Sequence, residues 1–461
     1  MSSYWVDDSN AALLTDFYEL TMLQSYFDEG MNGISVFDLF VRRLPRKRNF
    51  LVACGLEHVL HYLETVSFSA DAIEYFRSLH RFSEAFLTSL SEFRFTGDVY
   101  AVPEGTVVFA NEPIVEVVAP LPQAQLIETF LMNQIQLATQ AASKAARVVH
   151  AARGRSVVDF GVRRMHGADA GIKEPRAFYI AGVDGTSNVL AGQVYGIPVA
   201  GTMAHSYIQA CETELEAFRR FVHSFPEAIL LVDTYDTLQG IRHVIELARE
   251  LGSQFRITGI RLDSGDLSHL AKEARRLLDS AGLPHLKIFV SSSLDEYVIE
   301  SLLASDSPFD GFGVGGHMAT SEDAPFLDTA YKLAEYAGRP RMKFSEQKIS
   351  LPGRKQIFRE KTNGKATRDV LGLASESLPG QHLLNKVMEN GRRTRPASTL
   401  DECRSHCKSE LTSLPDALLD LSPADPAYPV DLSSPLSRIK DEMARQLRRG
   451  DVQSPGHRTE P

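Results

Sequence analysis

Cysteine is scarce in this chain. Cys54, Cys211, Cys403 and Cys407 are scattered over 461 residues, with one C-x-x-x-C pair among them. That supplies too few ligands for a closed zinc site and fits a reduced cytoplasm, where the protein is expected to remain. Positive charge is also in deficit: 49 Lys and Arg stand against 59 Asp and Glu, a formal net charge of -10. A general nucleic-acid or membrane-surface binder is therefore excluded, and any anion site must be a local pocket. Long apolar runs are missing too. The longest stretch free of Asp, Glu, Lys and Arg, 185–211, is interrupted by Gly192, Gly196, Pro198 and Gly201 and contains Asn188, Gln193 and His205. It is no membrane span and reads instead as a buried wall of a site. Asp7, Asp8 and Asp16 near the start leave no basic segment followed by an apolar core, so no signal peptide is expected.

What is present is an ordinary globular composition, 43% hydrophobic, in a chain long enough for two or three domains. Residues near 11–90 carry apolar side chains at helical spacing, as in Leu20, Leu23 and Phe27 or Leu56, Val59, Leu60 and Leu63. From 95 to 120 short β-rich runs take over, and similar runs return after 340 between the turn formers Pro352-Gly353, Asn363-Gly364 and Asn390-Gly391. A discontinuous β-rich domain is the natural reading. Between its parts, apolar strands at 156–160, 229–232, 257–262, 287–290 and 309–312 alternate with helical stretches. Two successive intervals, 30 and 28 residues, are of βαβ length. The expected fold is an irregular TIM-like α/β barrel with a helical N-terminal region and a discontinuous second domain. Its parts are 1–122, 123–340, 341–400 and 401–461, the last ending in an amphipathic helix (Leu436, Ile439, Met443, Leu447) and a frayed tail.

In such a barrel the chemistry sits at the C-terminal strand ends. These ends are polar here: Arg163-Arg164, Asp233 and Asp236, Asp263-Ser264-Gly265-Asp266, Ser291-Ser292-Ser293, and Gly313-Val314-Gly315-Gly316. Asp263 suits a ribose diol or a hard cation, while Ser264 or Asp266 offers a helix cap. The glycines at 311, 313, 315 and 316 offer bare N–H groups to phosphate or serve as plain turns. Arg163, Arg164 and Arg261, with Lys173 and Arg176, are the candidate anion ligands; the basic run Arg42–Arg48 reads as a solvated face. His205 in GTMAHS is placed as the third residue of a helix capped by Thr202 and continuing to Phe221. There the helix dipole would favour a neutral, nucleophilic imidazole and then its phosphorylated form, although a histidine at such a place also serves as a structural hydrogen-bonder.

The segments LLTDFYELTM (13–22), DFGVRR (159–164), GTSNVLAG (185–192), PVAGTMAHS (198–206), VDTYDT (232–237), IRLDSGDL (260–267) and YKLAEYAGRP (331–340) together resemble the nicotinate phosphoribosyltransferase family. The resemblance implies a type II phosphoribosyltransferase fold and a homodimer with shared active sites. It implies formation of nicotinate mononucleotide and pyrophosphate from nicotinate and phosphoribosyl pyrophosphate, with ATP as co-substrate, Mg2+ as cofactor, and a place in NAD salvage. By motif position, His205 corresponds to the phosphorylated histidine, Arg163 to a substrate-facing arginine and Asp263 to a catalytic carboxylate at the magnesium. Tyr18, Thr202 and Arg261 correspond to the nicotinate site, and Asp233, Ser292, Gly315 and Gly316 to the phosphoribosyl pyrophosphate site. Where many members read Gly-Val-Gly-Thr, this chain ends on Gly316, without the hydroxyl, and it lacks the cysteine cluster of relatives with a metal-binding C-terminal module. The alternatives are a nicotinamide or quinolinate phosphoribosyltransferase and a non-catalytic sugar-phosphate-binding relative.

Overall fold

The computed structural model describes residues 5–345 and 348–449, which form two compact units. The first takes the chain through Thr139, Phe326–Thr399 and the part from Ser409 onward; the second takes Gln140–Pro325 and Leu400–Lys408. In chain order the first unit begins with β1 (Ile34–Val41), β2 (Leu51–Val52), β3 (Asp98–Ala101), β4 (Val107–Val108) and β5 (Pro113–Pro120). The second holds β6 (Ser156–Asp159), β7 (Gly185–Thr186), β8 (Ile229–Leu231), β9 (Gly259–Leu262), β10 (Lys287–Val290) and β11 (Gly311–Val314). The chain re-enters the first unit as β12 (Thr329–Tyr336), β13 (Arg339–Pro340), β14 (Lys355–Thr362), β15 (Lys365–Leu373), β16 (Gln381–His382), β17 (Asn385–Glu389), β18 (Arg392–Arg393) and β19 (Val430–Leu432).

The large sheet of the first unit runs β13-β12-β1-β5-β3-β17-β18, so distant parts of the chain complete one sheet. β12 pairs along β1 from Thr329 to Tyr336, which draws the boundary back to 325/326 from the 340/341 read in the sequence. The other division, 139/140, falls inside the long helix Glu128–Ala151 and not at 122/123. The N-terminal region is helical at Phe17–Asp28, Leu56–Thr65, Ala70–Ser78 and Glu84–Ser91, yet the helical reading of 11–90 passed over β1 and β2. The reason is burial on both faces. Seven of the eight β1 residues are buried, including Ser35 and Asp38, so the two-residue alternation that marks a half-exposed strand is absent. Asp38 meets Lys355 Nζ at 2.6 Å and Ser35 Oγ donates to Ala119 O, which makes those polar positions tenable. The expected turns do form. Asn363-Gly364 and Asn390-Gly391 have positive φ at both residues and close the β14–β15 and β17–β18 hairpins.

The second unit is built on one parallel sheet, β7-β6-β11-β10-β9-β8. Its last strand in sequence, β11, lies beside its first, β6, so the sheet curls as a barrel does while β7 and β8 remain its two edges. Helices Thr237–Leu251, Leu267–Ser280 and Glu296–Ala304 follow β8, β9 and β10, each capped by an aspartate: Asp236, Asp266 and Asp295 accept from the N–H groups of Gln239, His269 and Val298. The final strand is 311–314, not 309–312, and β7 was not foreseen. Gly311 and Gly313 explain the shift, because they carry no side chain for a periodic pattern to register. A Cβ on them would come within 2.4 Å of Phe289 and 2.5 Å of Phe160. Both are packing glycines, and Gly313 also lines the cleft described below. No helix among the described residues is long and apolar enough to cross a membrane. The amphipathic helix Ser434–Arg449 is present with Leu436 buried, and the frayed tail expected beyond it lies outside the described residues. Arg48 in the basic run is buried, and Arg42 and Arg43 both reach Asp328, so that run is more than a solvated face.

Candidate active site

The C-terminal ends of β9 and β10 carry a connected polar network. Arg261 projects from β9 and uses its whole guanidinium: Nε donates to Ser291 Oγ at 2.7 Å, Nη1 to Thr202 Oγ1 at 2.9 Å, and Nη2 to Asp263 Oδ1 at 2.8 Å. Only the planar fork of arginine serves three acceptors in these directions at once. Its Cζ also sits 5.4 Å from the centroid of Phe160, from the turn after β6. Asp263 accepts from Ser291 Oγ as well, and its Oδ2 is 3.6 Å from His205 Nε2. The other ring nitrogen of His205 is 3.1 Å from Thr234 Oγ1. Half-burial pushes the Asp263 carboxyl up, but the bonds from Ser291, Arg261 and His205 prevail and hold it below the usual carboxylate range.

Behind this network Asp233 is buried at 8% exposure. Its Oδ2 accepts from Asp263 N at 2.8 Å and from Ser264 Oγ at 2.7 Å, whereas Oδ1 is buried with no partner among the described residues. A magnesium ion that keeps water and substrate oxygens in its shell needs one or two carboxylates, and the free oxygen of Asp233 with the anionic Asp263 fits that demand. An all-protein cage does not fit, since no group of three or more acidic, histidine or cysteine ligands occurs among the described residues.

A cleft of about 520 Å³ opens beside Arg261 and Asp263. Arg163 and Arg164 line it, both exposed and both with guanidinium groups that have no protein partner among the described residues. Ser292 lines it in a left-handed backbone conformation, φ 126°, an uncommon state for a serine and one that recurs at functional sites. Gly315 and Gly316 form another wall, where a Cβ on Gly316 would only touch the stem of Arg164 at 3.5 Å. The turn that carries Arg163 and Arg164 is held by Asp159, which accepts from Gly161 N and Thr186 Oγ1, each at 2.7 Å. Burial raises the Asp159 carboxyl to about 6 and that of its neighbour Glu174 to about 8.

Nine of the ten residues assigned by motif position therefore lie in the second unit. Arg163, Arg261, Asp263, Ser292, Gly315 and Gly316 line one cleft, and Thr202, His205 and Asp233 join it through hydrogen bonds and the His205–Asp263 contact. Tyr18 stands on helix Phe17–Asp28 of the first unit with 46% of its surface exposed. The helix expected from Thr202 to Phe221 is corrected. Thr202 and Met203 precede the helix and Ala204 caps it; His205 is the first residue of a helix that ends at Gln209, and a second helix, Glu214–Ser224, starts from its own cap at Thr213. Thr202 lies two residues before the cap position, with its hydroxyl accepting from Arg261, and Thr213, with Glu216 three residues on, is the local start signal that was passed over. Nor is 185–211 a buried wall: Val189, Leu190, Val194 and Val199 are all about half or more exposed. Lys173 is spent on Asp169 and Arg176 is buried, so neither lines the cleft. Ser291, Thr234 and Phe160 were missed as site members. Each adjoins a residue that was chosen, and only the pairing of β9 with β10 and the turn after β6 reveal which neighbour points inward.

A curled parallel α/β sheet with unpartnered arginines, an arginine–carboxylate–histidine cluster and bare glycines at its C-terminal strand ends defines an α/β-barrel enzyme for anionic substrates. Family models agree along the length of the chain. The nicotinate phosphoribosyltransferase N-terminal domain matches residues 13–136, the nicotinate phosphoribosyltransferase family 155–351, and the corresponding C-terminal domain 380–440. Nicotinate phosphoribosyltransferase pncB2 of Mycobacterium tuberculosis is 52% identical over 96% of this chain and 95% of its own length. The nicotinate phosphoribosyltransferase of Bacillus subtilis is 39% identical over 83% and 80%. The crystal structure of human nicotinic acid phosphoribosyltransferase superposes with a TM-score of 0.82 at 28% identity, covering 93% of this chain and 99% of that one. The chain belongs to the nicotinate phosphoribosyltransferase family.

Proposed function

We propose that the chain transfers a phosphoribosyl group from phosphoribosyl pyrophosphate to the ring nitrogen of nicotinate, releasing pyrophosphate, in NAD salvage. The observation that carries this reading is the Arg261–Asp263–Ser291–Thr202–His205 cluster opening onto a cleft with two unpaired arginines. Displacement at the anomeric carbon develops positive charge on the ribose and negative charge on the leaving pyrophosphate. Asp263, held anionic, answers the first; Arg163 and Arg164 answer the second. Arg261, with one N–H of Nη2 left over from its bonds to Ser291, Thr202, Met203 and Asp263, brings the positive charge that pairs with a nicotinate carboxylate, and Thr202 fixes its angle. When bound beside Asp263 and Asp233, Mg2+ would screen the pyrophosphate. A carboxylate partner favours nicotinate over nicotinamide as substrate.

Coupling to ATP belongs to His205. The residue is accessible, with 39% of its side chain exposed, and is oriented by Thr234 on one nitrogen and Asp263 near the other. Such an imidazole can accept a phosphoryl group and return it to water during turnover. The homodimer reading is supported by Val189, Leu190, Val194 and Val199, whose exposure on one short segment is costly in water.

The test is product formation from nicotinate, nicotinamide or quinolinate, with and without ATP, in the parent and in His205→Ala. Nicotinate mononucleotide should form from nicotinate with ATP stimulation in the parent. The variant should keep a weak basal rate and lose both the stimulation and the acid-labile label from gamma-labelled ATP. Preference for another pyridine would reject the substrate, and equal ATP stimulation in both proteins would reject the role of His205.

A further inference from the structure

Neither guanidinium of Arg163 and Arg164 is tied to the protein among the described residues, so where the two groups stand in the cleft is set by the backbone that carries them. That backbone is the tight turn between β6 and helix Ala168–Ile180. Asp159, the last residue of β6, begins it. One carboxylate oxygen accepts from Gly161 N at 2.7 Å, two residues on, where a side chain imitates a backbone turn. The other accepts from Thr186 Oγ1 at 2.7 Å, on the neighbouring strand β7. Thr186 Oγ1 accepts in turn from Asn188 N, and Asn188 Nδ2 donates to Gly171 O in the helix that the turn enters, so the turn is tied at both ends. Gly161 closes it against the opposite wall: a Cβ there would lie 2.7 Å from Ala319 Cβ and 3.2 Å from Gly315 O, too close to be accommodated without a shift. Asp159 is fully buried, a costly place for a carboxyl that only these bonds make tenable.

From this geometry we infer that Asp159 is a positioning residue for the reaction: with the bare backbone of Gly161 against the loop after β11, it fixes Arg163 and Arg164 where both can hold the pyrophosphate of the phosphoribosyl donor. The inference rests on the phosphoribosyl reading and deepens it. A long exposed arginine gains affinity for an anion only to the extent that its placement is settled before binding, and a loosened turn spreads each guanidinium over many positions. What the turn requires of residue 159 is hydrogen bonding and not charge. Gly161 N needs an acceptor, whereas the Thr186 hydroxyl can donate or accept. Asparagine meets both demands, with Oδ1 toward Gly161 N and Nδ2 toward Thr186 Oγ1; alanine meets neither. Phe160, between the two residues, is anchored separately by its own N–H to Val314 O at 2.8 Å, so the ring beside Arg261 keeps its place when the Asp159 side chain is lost.

The experiment is calorimetric titration of the full chain with magnesium pyrophosphate and, separately, with nicotinate. It compares the parent with Asp159→Asn, Asp159→Ala and Gly161→Ala, and repeats each substitution in a chain that also carries Arg163→Ala and Arg164→Ala. Asp159→Ala and Gly161→Ala should bind pyrophosphate about tenfold or more weakly and nicotinate within about twofold of the parent, while Asp159→Asn should match the parent for both ligands. In the chain without the two arginines, the same substitutions should weaken pyrophosphate binding no further, because they act only through those side chains. Losses that persist in that chain, equal losses for both ligands, or a loss in Asp159→Asn as large as in Asp159→Ala would overturn the assignment. Gly161→Ala strains the turn from its other side and decides the question by itself should Asp159→Ala not fold. Failure to form nicotinate mononucleotide would reject the reaction itself, whereas the binding cycle decides Asp159 whether or not turnover is seen.

Discussion

At the scale of single residues, the site is organised by Arg261. Its three side-chain hydrogen bonds to Ser291, Thr202 and Asp263 join two strands and the segment before His205 into one constellation. Lysine at this position keeps the charge but replaces a planar fork with one ammonium on a flexible stem. Arg261→Lys should therefore raise KM for nicotinate by about tenfold or more, with KM for phosphoribosyl pyrophosphate moving by less than about twofold, because the unpaired Arg163 and Arg164 still hold the other substrate. Steady-state kinetics with each substrate varied in turn gives the answer; parallel rises in both constants would mean that Arg261 supports the cleft without selecting the ring. The residue types were legible in the sequence. Their partners were not, since Ser291, Ser292 and Ser293 are chemically alike and only the β9–β10 register turns Ser291 toward Arg261.

At the scale of elements, contact between helix Thr237–Leu251 and β8 shows how packing positions chemistry. A Cβ at Gly240 would lie 2.1 Å from the carbonyl oxygen of Val232, the residue before Asp233. Gly240→Ala must push the helix off the strand end, with a destabilisation of about 1–3 kcal/mol, and it must also move the carboxylate that holds Asp263 N and Ser264 Oγ. The expected result is a lower Tm together with a reduced kcat. A variant that loses Tm alone would show that Asp233 is insulated from the helix. In the sequence this glycine reads as a mild helix penalty, because its role depends on a strand that lies next to the helix only after folding.

At the scale of the whole molecule, buried carboxyls link stability to pH. Burial raises Glu174 to about 8, with the charge of Asp159 adding to the effect, and its Oε2 has no partner among the described residues. Between the ordinary range of about 4.3 and about 8, the folded chain retains a proton that the unfolded chain has released. This contribution to stability is fully present below that range and is lost as pH rises through it. Glu174→Gln preserves shape and removes the titration, so its Tm should gain on that of the parent between about pH 5 and about pH 8. Thermal melts across that range check this; parallel curves would mean that Glu174 is charged in the folded state.

The sequence by itself determined the family through seven ordered motifs, the parallel α/β rhythm through apolar strands at βαβ intervals, and the hairpins through Asn363-Gly364 and Asn390-Gly391. All of these are local signals, complete within a few residues or one repeat. Only the tertiary structure decided that β1 is a central strand, because burial on both faces erased its alternation. Tertiary contacts likewise brought the Thr202 hydroxyl to Arg261, and the short helix begins only at His205. They also drew β12 to β1, packed Gly311 and Gly313 against Phe289 and Phe160, and left Arg163 and Arg164 without partners among the described residues at the cleft. In each case the deciding neighbour is remote in the chain, and a hydrogen-bond partner or a close backbone contact comes into existence only when strands far apart in sequence are laid side by side.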